Sequence, residues 1–178
     1  GKARIPQHIL NKPGPLTEEE FNEMKKHPSI GYSLIEENDA ISKDVALGVL
    51  MHHEREDGSG YPIGLKSKQI HYYAKVLAVV DIFDAMTSNR VYKKRQPPFD
   101  VLEMYESEYL TKCDTGIMLT FLKHISSYYI GAMVKLNDGS KGEVVYINSN
   151  SISRPLIKSN NEVIDLSMIP ELKIVEML

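Results

Sequence analysis

Three features of the sequence predict a mainly α-helical protein, a helical bundle followed by a small β-rich C-terminal part. Apolar residues recur with helical spacing from Glu18 to Ser127, alternating runs take over after Tyr129, and a turn signal at Asn137-Asp138-Gly139 punctuates those runs. The expected division is residues 1–129 for the helical domain and 130–178 for the β-rich extension.

Along the chain, Asn11-Lys12-Pro13-Gly14-Pro15-Leu16 forms a rigid turn that feeds Thr17-Glu18-Glu19-Glu20. Thr17 and Glu20 have capping-box spacing, with Leu16 and Phe21 as the hydrophobic staple, so a helix is expected from about Glu18. It runs toward Pro28, where it kinks or restarts before Ile30, Leu34 and Ile35. Ser42 can cap the next helix, in which Val45, Val49 and His53 recur at i, i+4, i+8 and are expected on its buried side. The stretch Arg55 to Gly64 is too rich in Gly and Pro to be helical. From Tyr72 to Ser88 the run Val76, Val79, Val80, Phe83, Met86, with Ala74, Ala78 and Ala85, predicts a core helix apolar around most of its circumference. Further helices are expected over Phe99–Leu110 and Gly116–Ser127. Strands are expected at Met133–Leu136, Glu143–Ile147, Pro155–Ile157, Val163–Leu166 and Leu172–Val175.

Composition narrows the function classes. The 178 residues are 42% hydrophobic and 25% charged, which suits one soluble globular domain with a small appendage. A net charge of -3 provides no overall basic field, so DNA is not expected as a partner and any anion site must be local. The single cysteine, Cys113, excludes an intramolecular disulfide and fits a reducing, cytoplasmic setting. No stretch approaches the ~20 apolar residues that cross a bilayer, and no membrane contact is expected of this piece. Because Gly1-Lys2-Ala3-Arg4 opens without an initiator Met or a recognisable first element, the chain is expected to be a fragment.

Chemistry concentrates at His52-His53-Glu54, where two imidazoles at a helix end can offer nitrogen ligands. Adjacent helical residues point about 100° apart, so the pair would more naturally address two metals, or two edges of a cluster, than chelate one ion. Adjacent histidines are also common without any metal. Asp81 lies within an apolar helix, where a carboxylate needs a cation, a donor or a proton; bonding to a neighbouring helix terminus is the structural alternative. Asp84 could orient a histidine N–H. His27, read alone, is an ordinary helix-end residue, and His8, His71 and His124 have no supporting pattern. Arg90, Lys93, Lys94 and Arg95, with Tyr92 among them, form either a solvated face or a local phosphate site just past Asp81. Asp57–Gly64 holds three glycines without P-loop or dinucleotide-fold spacing, and reads as a surface loop or as a ligand or partner contact.

The run His52-His53-Glu54-Arg55-Glu56-Asp57-Gly58-Ser59-Gly60-Tyr61-Pro62-Ile63-Gly64-Leu65 resembles the signature of the HD-GYP family. Flanking pieces match in family order: Ile5-Pro6 to Gly14, Leu16 to Glu20, Lys26-His27-Pro28 with Gly31-Tyr32, and Asp81 to Ser88 leading to Arg90 and Tyr92. The resemblance covers about residues 1–125. It implies an HD-type helical phosphohydrolase with two or three divalent ions, iron or manganese, that opens cyclic di-GMP to pGpG or onward to GMP. It further implies His27, His52, His53 and Asp81 as metal ligands, with Asp81 and Lys2 as catalytic groups. Lys2, Arg90 and Lys94 would face the phosphate, and Gly60, Tyr61 and Pro62 the substrate or a signalling partner such as a diguanylate cyclase domain; a dimer is compatible with the family. The family's His-Asp pair is expected immediately before Gly1. If the parent protein lacks it, a non-catalytic module that binds cyclic dinucleotides or signalling proteins becomes the alternative. Lys94 stands where arginine is common, and lysine binds phosphate as a point charge rather than a fork.

Overall fold

The computed structural model describes residues 1–88 and 96–178. Among the described residues, seven α-helices precede a five-stranded antiparallel sheet: α1 (Gln7–Leu10), α2 (Glu18–Met24), α3 (His27–Ser33), α4 (Lys43–Met51), α5 (Tyr72–Thr87), α6 (Pro98–Ser107) and α7 (Thr115–Ser127), then β1 (Met133–Leu136), β2 (Lys141–Asn148), β3 (Ser151–Ser159), β4 (Glu162–Asp165) and β5 (Ile174–Met177). Among the described residues no helix is long and apolar enough to cross a membrane. Contacts divide the chain into two compact units: the described residues of 1–95 with Leu110–Ile117, and Gln96–Tyr109 with Met118–Leu178. The second unit thus takes in α6 and most of α7 along with the sheet.

In the first unit the helix starts follow their caps. Thr17 and Glu20 make the reciprocal capping box of α2, and the Ser42 hydroxyl accepts from the Val45 N–H to open α4. Pro28 sits in the first turn of α3, where its missing N–H costs nothing. His71, which the sequence pattern left unassigned, caps α5 by accepting from the Tyr73 N–H and faces Asp44 at 3.3 Å. The apolar face of α4 differs from expectation: Ala46 and Gly48 are buried, whereas Val45 is 47% exposed. Gly48 lies where a side-chain carbon would touch Tyr73 and Leu77 of α5, so it marks the close approach of the two helices, while Val49 packs against Gly31 of α3. Likewise α5 buries Ala74, Ala78, Val79, Ile82 and Phe83 but leaves Leu77 and Val80 exposed. It is a one-sided helix rather than one buried all round.

In the second unit the strands run in the order β4-β3-β2-β1-β5, each pair antiparallel. The expected turn residue Gly139 has φ +88° between β1 and β2, a conformation open to glycine. β3 starts at Ser151, four residues before the apolar run that marked it, because pairing with β2 recruits Ser151 as well. The α6 carboxylate of Glu106 accepts the Ile152 N–H at 2.8 Å and bonds the Ser153 hydroxyl, fixing that strand start. Tyr105, Leu102, Met118, Leu122, Val134, Leu136, Val144 and Ile157 are fully buried in this unit.

Candidate metal centre

The site is built entirely in the first unit, from the start of α3, the end of α4 and the loop that follows. His27 opens α3. α4 ends at Met51, which leaves His52 as its C-cap and His53 in the turn beyond. The two imidazoles lie side by side although His52 keeps a helical backbone conformation. Their ring centroids are 4.1 Å apart, and the His27 ring lies 5.3 Å from His52 and 5.0 Å from His53. One ligand nitrogen from each of the three falls within 4.8 Å of the others. Of the two arrangements expected for His52 and His53, separate ions or two edges of one cluster, the geometry matches the second, with His27 joining them.

Protonation follows from the hydrogen bonds. His27 Nδ1 lies 2.8 Å from the Met24 carbonyl and His52 Nδ1 2.7 Å from the Val49 carbonyl. A carbonyl can only accept, so Nδ1 carries the proton in both rings and Nε2 is left with a lone pair. Those two Nε2 atoms face each other at 3.3 Å. Two lone pairs at that distance repel unless a proton or a cation lies between them. Burial pushes the pKa of His27 and of His52 down, and the nearby Lys2 ammonium adds to the effect. For His53, burial and then the neighbouring histidines press it down to about 2. With protonation disfavoured, the cluster suits a divalent cation. The separation fits two imidazoles on one ion at roughly 2.0–2.1 Å each, and backbone-anchored Nδ1–H groups are the usual support of ligating histidines.

Around the cluster, Asp81 Oδ2 lies 3.8 Å from His53 Nδ1. The Asp81 side chain is 34% exposed, because it stands on the open side of α5; the expectation of a buried carboxylate is corrected to one that borders the site. Asp84 is exposed and accepts the Ser88 hydroxyl rather than orienting a histidine. Lys2 belongs to a short 3-10 turn, Lys2–Arg4, held close to α3. The first side-chain carbon at position 1 would lie 1.8 Å from the His27 carbonyl oxygen, so glycine there permits the close approach that brings Lys2 within electrostatic reach of all three histidines. Arg90 and Lys94 lie outside the described residues.

The Gly60-Tyr61-Pro62 loop covers one side. Tyr61 stacks on His53 with centroids 4.6 Å apart and meets Phe21 edge-on at 6.3 Å. Burial pushes its hydroxyl pKa up to about 12, so it stays a phenol at neutral pH. Gly60 allows the loop to lie directly on the backbone of Glu54 and Arg55, where a side-chain carbon would come within 2.4 Å. Glu54, to which the sequence pattern gave no separate role, is only 1% exposed. Its carboxylate accepts the N–H groups of Ile63, Gly64 and Leu65 at 2.8 to 3.2 Å. The one signal in the sequence was an acid placed between a histidine pair and a glycine-rich loop.

The chain is 37% identical over 158 residues to a cyclic di-GMP phosphodiesterase of Pseudomonas aeruginosa, a match covering 89% of this chain and 38% of that protein. It is 52% identical over 95 residues to the cyclic di-GMP phosphodiesterase response regulator RpfG of Xanthomonas campestris, covering 53% of this chain and 25% of the relative. The chain thus spans well under half the length of these relatives. Among solved structures, a HDG"Y"P protein from Bdellovibrio bacteriovorus shares the fold with a TM-score of 0.56 and 16% identity, covering 69% of this chain and 39% of that one. The HD domain model matches residues 1–117. With that match across the helical part and the Gly60-Tyr61-Pro62 signature folded over the histidine cluster, the chain belongs to the HD domain family and to its HD-GYP group.

Proposed function

We propose that this chain forms the metal-binding and phosphate-facing part of a phosphodiesterase that hydrolyses cyclic di-GMP to pGpG or onward to GMP in the cytoplasm. The observation that carries the proposal is the pair of Nε2 lone pairs of His27 and His52, opposed at 3.3 Å with both Nδ1 atoms committed to carbonyls. The two relatives' identification as cyclic di-GMP phosphodiesterases supports the substrate.

His27, His52, His53 and Asp81 are assigned to hold two or three divalent ions, iron or manganese. Such ions supply Lewis acidity at phosphate and lower the pKa of water. The protein's own groups do the rest. His27 and His52 keep their Nε2 lone pairs available by donating Nδ1–H hydrogen bonds to the Met24 and Val49 carbonyls, and burial keeps His53 neutral. Asp81 brings a negative charge to the edge of the cluster, and Lys2 brings an ammonium that offsets charge growing on a phosphodiester oxygen. Arg90 and Lys94 are assigned the same task by sequence alone, and Gly60, Tyr61 and Pro62 the wall that the nucleotide meets. Hydrolysis adds water across one P–O3′ bond, oxygen to phosphorus and proton to the departing 3′-oxygen. Diguanylate cyclase or other signalling domains as partners, and a dimer, belong to the same proposal.

The test is anaerobic turnover of cyclic di-GMP and cyclic GMP-AMP with Mn²⁺ or Fe²⁺. It compares this chain with a form extended upstream of Gly1 through the His-Asp pair that the resemblance expects. Cleavage of cyclic di-GMP by the extended form supports the proposal. A metal-loaded extended form that binds the nucleotide and never cleaves it would overturn the enzymatic part in favour of a binding module.

A further inference from the structure

We infer that Glu54 is a positioning residue for the metal centre, acting through Tyr61 on His53; this deepens the metal-site reading above and rests on it. The chain of contacts is short. Glu54 is buried, and its Oε1 accepts from Ile63 at 2.8 Å and Gly64 at 3.2 Å, while Oε2 accepts from Gly64 at 3.0 Å and Leu65 at 2.9 Å. Three successive N–H groups converging on one carboxylate make a backbone nest, with Gly64 at φ +78° turning the chain into it. The near side of the loop is set by Gly60 on the Glu54 backbone and by the Tyr61 N–H, which donates to the His53 carbonyl at 3.2 Å. Between these two fixed points the Tyr61 ring is laid against His53.

His53 needs that support more than its neighbours do. His27 and His52 are each oriented by an Nδ1–H bond to the carbonyl three residues earlier, whereas among the described residues no hydrogen bond holds the His53 ring, whose Nδ1 lies 3.8 Å from Asp81 Oδ2, beyond hydrogen-bond range. The stacked face of Tyr61 takes over part of the orienting work that a hydrogen bond does for the other two. Glu54 touches neither the imidazole nitrogens nor the open side of the cluster, so its effect reaches the site through the loop.

The substitution that separates clamp from bulk is Glu54→Gln. It keeps the shape but turns one oxygen into an NH₂ that points donors at N–H donors. Tyr61→Leu removes the stack and leaves the clamp, and Tyr61→Phe keeps both. The readouts, on the full chain, are Zn²⁺ affinity by calorimetry and the His53 ring-proton shift in the metal-free protein, which the stacked tyrosine moves upfield. Glu54→Gln and Tyr61→Leu should each weaken Zn²⁺ binding about tenfold, in the range of outer-shell support, and both should erase the upfield shift. The double variant should fall within about threefold of either single one, because the two act on the same step, while Tyr61→Phe stays within about twofold of the parent. A folded Glu54→Gln with the parental shift and affinity would overturn the inference, as would losses that multiply in the double variant. Should Glu54→Gln fail to fold, Tyr61→Leu decides: parental Zn²⁺ affinity there also overturns it. If the parent binds no Zn²⁺, the metal reading fails, and the His53 shift in Glu54→Gln decides whether the clamp positions His53.

Discussion

Two glutamates do the same mechanical job in the two units, with different consequences. Glu54 grips three backbone N–H groups of the loop over the histidine cluster; Glu106 grips the start of β3 through Ile152 and Ser153. Beyond the Glu54 clamp lie three imidazoles with lone pairs to satisfy. Beyond the Glu106 clamp lies an apolar core of Tyr105, Leu102, Val144 and Ile157. A carboxylate on backbone amides, buried at Glu54 and half-buried at Glu106, therefore fixes a segment in both units, and it becomes part of a functional site only through what the fixed segment touches.

Substitutions can break or sharpen this contrast. The largest effect is expected from the cluster itself: His52→Ala should reduce divalent-metal affinity by on the order of 100-fold or more, beyond the range of supporting groups, as read by calorimetry. Next, Glu54→Ala should cost about 3 kcal/mol by leaving several amides unpaired, and should weaken metal binding as well. Glu106→Ala should cost about 1–2 kcal/mol in chemical denaturation with metal affinity unchanged. A loss of metal binding in Glu106→Ala would erase the distinction between the two clamps. Gly60→Ala should destabilise by about 2 kcal/mol, since its methyl group must push the loop off the Glu54 backbone. The smallest effect concerns pH. Asp114 is held below its ordinary pKa by the Ile117 N–H and by Lys75. A carboxylate so lowered contributes fully above its unfolded value near ~4, and the contribution is lost as pH falls through the lowered folded value. Asp114→Asn should flatten the acid limb of the stability curve, visible in melts between about pH 5 and 2.

Much of this architecture was legible in the residues. The Thr17/Glu20 capping box, the Ser42 cap, the helix restart at Pro28 and the Gly139 turn are local chemistry, and each appears where its pattern lies. His52 and His53 were legible through the signature run and His27 through the flanking Lys26-His27-Pro28 piece, and the structure brings the three together. What was not legible depends on tertiary geometry. Periodicity could not tell that Gly48 marks the approach of α4 to α5 while Val45 is exposed, because a close helix approach needs a small residue there. Nor could it show that α4 stops at Met51 or that the rings of the following histidine pair lie 4.1 Å apart. Asp81 looked trapped because its neighbours are apolar, yet Leu77 and Val80 share its open side. The task of Glu54 was invisible because its partners are backbone amides nine to eleven residues away, which carry no side-chain signature.

If His27, His52 and His53 hold one divalent ion or adjoining ones, their nitrogens must appear around the bound metal. X-ray absorption on the chain loaded with one equivalent of Zn²⁺ should then show at least two imidazole nitrogens at about 2.0–2.1 Å, with more distant imidazole scattering that diminishes in His52→Ala. An oxygen-only shell, unchanged by that substitution, would contradict it.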